Sequence, residues 1–375
     1  MKHLTNGIAR TALIAAVATA TLVNSLAQEE PRYGLYIGDR DTYRVITYLQ
    51  PTYDPRAGGG RDIALMLRWS CAYSQFAKGY PSNTPAQVYI YGIAVDPHND
   101  RIWASDHLRD RIVAFDRNGN YIRDFALPQG VLSPRKMAIY RHRQGTYLYV
   151  SATNSDSWQA KLWVFGPLES NNPSWEPFVD ENGRQVPSTS GVRFFEVYML
   201  ISDSGGKAAL YKFSSHRSGY KGTEWDVAGE DIDYIDNDTI LLAVPGRPTG
   251  TIKRLKAGDP NDITDYIRNL PGVYQGIAVG PQEVDGTRFI YIATYETFPN
   301  ALIVYRYNPN DPNRPQWFGA ASPLPYKSGY AVAIGPVWDC SQCNASCPED
   351  VNRDGVVDDA DLLSILFAFG TRCGN

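Results

Sequence analysis

The chain has 375 residues, of which 43% are apolar, 20% are charged and 12% are aromatic, and this balance excludes a mainly disordered protein. Its 32 glycines, 25 prolines and 25 tyrosines, against 4 methionines, favour strands and turns over helices. The formal net charge of −4 argues against a nucleic-acid-binding protein, which would present a basic surface to the phosphates.

Residues 1–27 have the pattern of a secretory signal peptide. Lys2 and Arg10 supply positive charge, residues 11–23 form a short apolar run, and Ser25 and Ala27 place small side chains where signal peptidase reads them. We expect cleavage after Ala27 and a protein that is secreted, extracellular or on the cell surface, with the periplasm as an alternative. The other alternative is a retained membrane anchor. No later run of 18 apolar residues predicts a transmembrane span.

The body of the chain repeats a short apolar motif. The sequence GIAVD at 92–96 returns as GIAVG at 276–280 and as AVAIG at 331–335, with weaker copies between them. The positions taken as equivalent, 38–57 residues apart, are Ile93, Met137, Phe194, Ile232, Ile277 and Val332.

Each repeat predicts four short strands. In the first repeat these are residues 92–96, 101–105, 111–116 and 121–125, separated by turns rich in Asn, Asp and Gly. Repeats of about 40–50 residues with four strands each are typical of β-propellers. The segments GIAVD, IWASD and RIVAFD and the turn NGN resemble an NHL-type repeat, which implies an all-β propeller over residues 28–338. The alternatives are a long β-sandwich or two β domains.

The two ends of the repeat array complement each other. Residues 35–38 and 43–48 read as the second and third strands of a unit, and residues 331–334 read as an opening strand with nothing after it. A blade shared between both ends gives a six-bladed propeller. Residues 51–91, which include Cys71, are long for a simple loop and leave a seventh blade as an alternative.

Residues 350–361 carry the most specific motif of the chain. Oxygen-bearing side chains occupy loop positions 1, 3, 5, 9 and 12, and Gly355 occupies position 6, as in loops that wrap one calcium ion. The alternative is an acidic turn without metal. The expected ligands are the side chains of Asp350, Asn352, Asp354, Asp358 and Asp361 and the carbonyl of Val356.

The residues after this loop resemble a dockerin repeat. Asp361 followed by Leu362 and Leu363 is typical of that family, so residues 350–370 resemble one half of a type I dockerin, an EF-hand-like module. The resemblance implies one calcium ion and docking to a partner protein. One copy is present where the family has two, and residues 367–369 are Phe-Ala-Phe where basic residues usually follow.

The C-terminal segment, residues 339–375, is predicted to be a small cysteine-rich module with a calcium loop and one helix. That helix is apolar around most of its circumference, so we expect it to pack on the propeller, on a protein partner or on a second copy. Export favours disulfides between the four cysteines of this segment, which can pair in three ways. The alternative is a zinc ion held by the four thiolates. The cysteines concerned are Cys340, Cys343, Cys347 and Cys373. Cys71 is left as a buried thiol.

No known catalytic motif is present in the sequence. It has no G-x-S-x-G, no H-E-x-x-H and no phosphate-binding glycine loop. Some six-bladed propellers are lactonases or phosphotriesterases with a metal near the axis, but no motif here matches theirs residue by residue. The polar residues in comparable loops are Asp106, Asn154, Asp203 and Glu296, and His107 is interpreted as a surface loop histidine.

The loop aromatics indicate binding. Trp158 and Tyr295 would suit stacking on sugar rings or peptides. We therefore expect a non-catalytic binding or scaffold propeller with a tail that docks or anchors it. The alternatives are a secreted propeller enzyme acting on carbohydrate, either a lactonase-like hydrolase or a polysaccharide lyase, and a surface-display module.

Overall fold

The computed structural model describes residues 33–39, 44–49, 90–116, 121–188, 190–203, 205–246, 249–271, 273–283, 285–295, 302–321 and 329–336. They belong to one compact unit that starts at Tyr33. Within these ranges there are strands and turns but no helix, and so no helix that could cross a membrane. The predicted signal peptide, Cys71, and residues 339–375 with their helix lie outside the described residues.

The strands follow one another in short antiparallel groups. The first two are β1 (Tyr33–Asp39) and β2 (Arg44–Leu49). Blade 1 contains β3 (Ile90–Asp96), β4 (Arg101–Asp106), β5 (Arg111–Asp116) and β6 (Tyr121–Ala126). Blade 2 contains β7 (Val131–Leu132), β8 (Met137–His142), β9 (Gly145–Asn154), β10 (Ala160–Gly166) and β11 (Ser174–Pro177).

The remaining strands continue this order. Blade 3 contains β12 (Val192–Phe195), β13 (Tyr198–Ile201), β14 (Ala208–Ser215) and β15 (Ser218–Trp225). Blade 4 contains β16 (Asp231–Tyr234), β17 (Thr239–Val244), β18 (Thr249–Lys256) and β19 (Asp259–Pro271). Blade 5 contains β20 (Val273–Val279), β21 (Arg288–Tyr295), β22 (Leu302–Tyr307) and β23 (Gln316–Ala321). The last strand is β24 (Gly329–Pro336).

The closing sheet joins strands from both ends of the described chain. β24 pairs with β1 in antiparallel register, with Leu35 opposite Ile334 and Ile37 opposite Val332, and β1 pairs with β2. The described residues thus form five complete blades and this three-stranded sheet, whereas the sequence predicted six blades.

An apolar cluster fills each gap between neighbouring sheets. Strands such as β4 and β5 are apolar along nearly their whole length because both faces of a blade are covered. The clusters contain Trp103 and Met137 between blades 1 and 2, Tyr149 and Val192 between 2 and 3, Leu200 and Ile232 between 3 and 4, Leu241 and Ile277 between 4 and 5, Tyr291 and Val332 between 5 and the closing sheet, and Tyr36 and Ile93 between the closing sheet and blade 1.

The inner strands of these sheets form a ring. β3, β8, β12, β16, β20 and β24 each contact the next in this order, and β24 contacts β3. Glycines permit the close approach: a Cβ on Gly92 would lie 2.1 Å from the carbonyl oxygen of Arg135, and one on Gly191 would lie 2.6 Å from Asp231 Oδ1. Gly191 therefore occupies the place of Gly92, so Val192, and not Phe194 as predicted, is the equivalent of Ile93.

Candidate functional site

Residues at the starts of the inner strands meet at one end of the ring. Every blade has the same antiparallel strand order, so this end also carries the loops between the second and third strands, such as residues 107–110 and 155–159. We call this end the mouth and define it by the four residues that stand directly before Gly92, Lys136, Gly191 and Asp231. These residues are Tyr91, Arg135, Ser190 and Glu230.

Below the mouth lies a buried group of charges that we call the ionic layer, formed by Lys136, Arg193, Asp231 and Asp233. Asp231 Oδ2 lies 3.3 Å from Lys136 Nζ and 3.5 Å from Arg193 Nη2. Arg193 Nε lies 3.8 Å from Asp233 Oδ2. Blade 2 supplies the lysine, blade 3 the arginine and blade 4 both aspartates, so the layer joins three blades.

Arg193 reaches beyond its own neighbours. Its Nη2 donates to the carbonyl oxygen of Val332 at 2.8 Å and to that of Ile277 at 3.2 Å. These carbonyls belong to the closing sheet and to blade 5, so the side chain of a blade 3 residue crosses the axis of the ring. The guanidinium therefore obstructs the channel at this depth.

The two aspartates of the ionic layer also accept backbone hydrogen bonds. Ile277 N donates to Asp231 Oδ2 at 3.2 Å, and Val279 N donates to Asp233 Oδ2 at 2.8 Å. Burial raises the pKa of Asp233 to about 6, although Arg193 and the amide of Val279 act in the opposite direction. Burial likewise lowers the pKa of Lys136, against the attraction of Asp231.

On one side of the mouth, Glu230 has few partners. It is half-buried, and Ser190 Oγ donates to its Oε2 at the long distance of 3.5 Å. Burial raises the pKa of the Glu230 carboxyl, while the positive charges of Lys136 and Arg135 oppose that rise.

On the other side, aromatic rings line the mouth. The guanidinium carbon of Arg135 lies 5.9 Å from the centre of the Tyr91 ring, and Tyr91 stacks on His107 with ring centres 4.7 Å apart. Burial lowers the pKa of His107, and the positive charge of Arg135 lowers it further. His107, interpreted from sequence as a surface loop residue, thus supports a wall of the mouth.

The other polar loop residues singled out from sequence have local roles. Asp106 is buried and pairs with Arg109 at 3.2 Å and Arg111 at 3.1 Å. Asn154 Oδ1 accepts from Asp156 N, and Asp203 Oδ1 accepts from Gly205 N, both at 3.0 Å. Glu296 and the side chain of Tyr295 lie outside the described residues.

Trp158 is presented to solvent by a tight loop of blade 2. Its side chain is 78% exposed, and its backbone has the left-handed φ of 53°. Trp158 N donates to Asn154 O at 2.8 Å, and Asn154 N donates to Gln159 O at 2.9 Å. The loop therefore holds a large exposed ring in a backbone conformation that bulky residues rarely adopt.

No metal centre is present among the described ranges, since they contain no group of three or more His, Cys, Asp or Glu side chains placed to hold an ion. The predicted calcium ligands and disulfide cysteines lie outside these ranges. The calcium ligands are Asp350, Asn352, Asp354, Val356, Asp358 and Asp361, and the cysteines are Cys340, Cys343, Cys347 and Cys373.

Comparisons with known proteins give a fold. No family model and no curated protein matches the chain. Among solved structures, a chain of a nidogen/laminin complex matches with a TM-score of 0.53 and 10% identity, covering 81% of this chain and 99% of that one. A candidate 6-phosphogluconolactonase from Bacteroides fragilis matches with a TM-score of 0.48 and 9% identity, covering 82% and 99%. With the strand topology, the first match shows that the body of the chain is an all-β propeller.

Proposed function

We propose that this protein is a non-catalytic binding propeller that takes carbohydrate on its mouth end. The observation that carries the proposal is Trp158, a fully presented indole in a hydrogen-bonded loop. An indole offers a flat apolar face to the C–H groups of a sugar ring, and the backbone that carries it is already held by hydrogen bonds, which lowers the entropy cost of binding.

The residues around Trp158 suit the same ligand. Asn154, Ser155, Asp156, Ser157 and Gln159 supply hydroxyl, amide and carboxylate groups that can pair with sugar hydroxyls. A peptide ligand would favour a broader apolar surface. The other large exposed apolar side chain at this end of the neighbouring blade is Leu108.

The ionic layer favours binding over metal-assisted hydrolysis. Asp231 and Asp233 are the carboxylates of the ionic layer, and both are engaged by cationic side chains and backbone amides. Carboxylates satisfied in this way have few lone pairs left for a metal ion.

The test replaces the indole and compares two exposed tryptophans. Trp158→Ala is expected to lower binding to a glycan array by tenfold or more, because truncation of a tryptophan that anchors a ligand costs about 2 kcal/mol or more. Trp317→Ala is the matched control, since Trp317 is 56% exposed on the outer strand of blade 5. Equal loss in both variants, or no loss in either, would contradict the proposal.

A second candidate function is a secreted carbohydrate-active enzyme, either a lactonase-like hydrolase or a polysaccharide lyase. It is favoured by Glu230 and His107, because half-buried groups with shifted pKa values at a mouth are typical of acid–base sites. Release of new reducing ends or unsaturated products from a bound glycan would support this function over simple binding.

The proposal also covers the number of blades, export of the protein and the C-terminal tail. We infer that the closing sheet is the sixth blade, because the ring of inner strands returns from β24 to β3. We propose that the protein is exported and that the dockerin-like tail anchors it to a protein partner. These last two points rest on the sequence.

The tail is also proposed to hold one calcium ion. Calorimetric titration of the full chain should show binding that is lost when Asp350→Ala and Asp354→Ala are combined, because the loop then lacks two of its carboxylates. The propeller should keep its melting temperature in the double variant, since the proposed ligands all lie in residues 350–361. Equal calcium binding by both proteins would place the ion elsewhere.

A further inference from the structure

We infer that the mouth is a second sugar subsite, specific for the terminal residue of a neutral glycan chain, with Glu230 accepting its hydroxyl groups. This inference rests on the proposed carbohydrate-binding function and names the part of the ligand that the mouth takes. Three observations support it. Glu230 has unused acceptor capacity, the residues around it are of types that bind sugars, and Arg193 crosses the ring below the mouth.

Glu230 has acceptor capacity that the described protein does not use. An ionised carboxylate can accept about four hydrogen bonds. The one side-chain hydrogen bond recorded for Glu230 within the described residues comes from Ser190 Oγ at 3.5 Å, which is long for a hydroxyl donor. The protein thus offers few hydrogen-bond donors to this half-buried carboxylate. Two neighbouring hydroxyls of a sugar can donate side by side to its two oxygens.

Charges of both signs lie around Glu230, and a neutral ligand meets net repulsion from neither. Lys136 and Arg135 act on Glu230 electrostatically and would repel a cation, while Glu230 itself would repel an anion. A polyol carries no net charge and can both donate to Glu230 and accept from a guanidinium.

The rest of the rim has the residue types that sugars contact. Tyr91 offers an aromatic ring held by stacking on His107. On the same end, Arg135 lies over the Tyr91 ring, so the described rim combines a carboxylate, a guanidinium and an aromatic ring.

The floor of the mouth restricts what can enter. Arg193 crosses the axis one layer below and bonds to the carbonyls of Val332 and Ile277. Arg193 thus stands in the path through the centre of the ring, so a glycan chain that reaches the mouth would enter it with one end. The following residues must leave over the blades, where the Trp158 loop of blade 2 lies at the same end.

The experiment measures binding of the full chain to cellohexaose, mannohexaose and maltohexaose by calorimetry. Each probe is used unmodified and with its non-reducing end blocked as a 4,6-benzylidene acetal, and each is also used with its reducing end converted to the alditol. We expect one end modification to weaken binding by about 10- to 100-fold, the range set by hydrogen bonds to a charged group.

The matched variants are Glu230→Gln and Glu181→Gln. Glu230→Gln should weaken binding of the unmodified probe by about 10- to 100-fold and remove the effect of the blocked end. Glu181 accepts a backbone hydrogen bond from Lys221 beside the start of β15, away from the mouth, so Glu181→Gln should bind as the wild type does. For the wild type, affinity should fall as the pH is lowered through the raised pKa of Glu230, a readout that does not depend on any variant folding.

The outcomes separate the two proposals. If Trp158→Ala abolishes binding while Glu230→Gln, end blocking and pH have no effect, the carbohydrate function stands and the terminal subsite is wrong. If the wild type binds none of the probes and no array glycan, the carbohydrate function is wrong, and the inference that rests on it is overturned too.

Discussion

At the scale of single residues, Arg193 joins four groups from blade 4, blade 5 and the closing sheet. A guanidinium has five N–H donors in a fixed plane, so it can pair with Asp231 and Asp233 while also bonding to the carbonyls of Ile277 and Val332. The repeat pattern predicts that Phe194 is equivalent to Ile93, and this alignment hides Arg193. In the structure, Arg193 stands at the position that Ala94 and Ala278 occupy in blades 1 and 5.

A buried aspartate and a half-buried histidine have opposite effects on the pH dependence of stability. Burial raises the pKa of Asp233 from 3.8 to about 6, so the stability it contributes is present below about pH 4 and is lost as the pH rises through about 6. Burial, with a smaller effect of His216, lowers the pKa of His142 from 6.5 to about 4. The stability from His142 is therefore present above about pH 6.5 and is lost on acidification through about pH 4.

Single variants should reveal these two opposite dependences of the free energy of unfolding on pH. The measurement is urea unfolding between about pH 4 and pH 7. Relative to the wild type, Asp233→Asn should lose free energy of unfolding as the pH falls, because it lacks the gain from protonating Asp233. His142→Gln should gain relative free energy of unfolding over the same range, because it lacks the cost of protonating a half-buried imidazole whose pKa is lowered. Parallel curves for all three proteins would show that neither group titrates in this window.

At the scale of strands, the first repeat was predicted well because its signals are local. Asn-, Asp- and Gly-rich turns bound apolar runs in blade 1, and the predicted segments agree with β3 to β6 within a few residues. Blade 3 was predicted less well. Arg193 interrupts its apolar run, and the chain turns at Glu196, whose φ is 50°, so the pattern does not show where β12 begins.

The inner-strand glycine of blade 1 should be sensitive to a single methyl group. Gly92→Ala would bring a Cβ within 2.1 Å of a backbone oxygen of blade 2, so we expect a loss of about 3 kcal/mol in the free energy of unfolding. Gly205→Ala is the control, because its Cβ would lie 4.0 Å from Asp203 Oδ1 in open surroundings, with an expected change within about 0.5 kcal/mol. Similar unfolding curves for the two variants would mean that the strands adjust freely.

At the scale of the whole molecule, the ring of blades could be predicted from the sequence, whereas the mouth and the ionic layer below it could not. Periodic motifs at Gly92, Gly276 and Ala331 were sufficient to predict a propeller. The ionic layer could not be predicted, because Lys136, Arg193 and Asp231 belong to different repeats and each looks like an isolated charge in its own strand. Trp158 was chosen from sequence as a loop aromatic, and its exposure is a property of the folded loop.

The pairing of β1 with β24 has a consequence for how the protein is made. Asp39 and Gly329 are 290 residues apart, so at about 5–20 residues per second the ribosome needs about 15 to 60 s to deliver the partner of β1 after β1 itself. Throughout that interval β1 has an unpaired edge that can join strands of other nascent chains. Aggregation during synthesis is therefore expected to depend on the translation rate, and slow elongation should prolong the hazard.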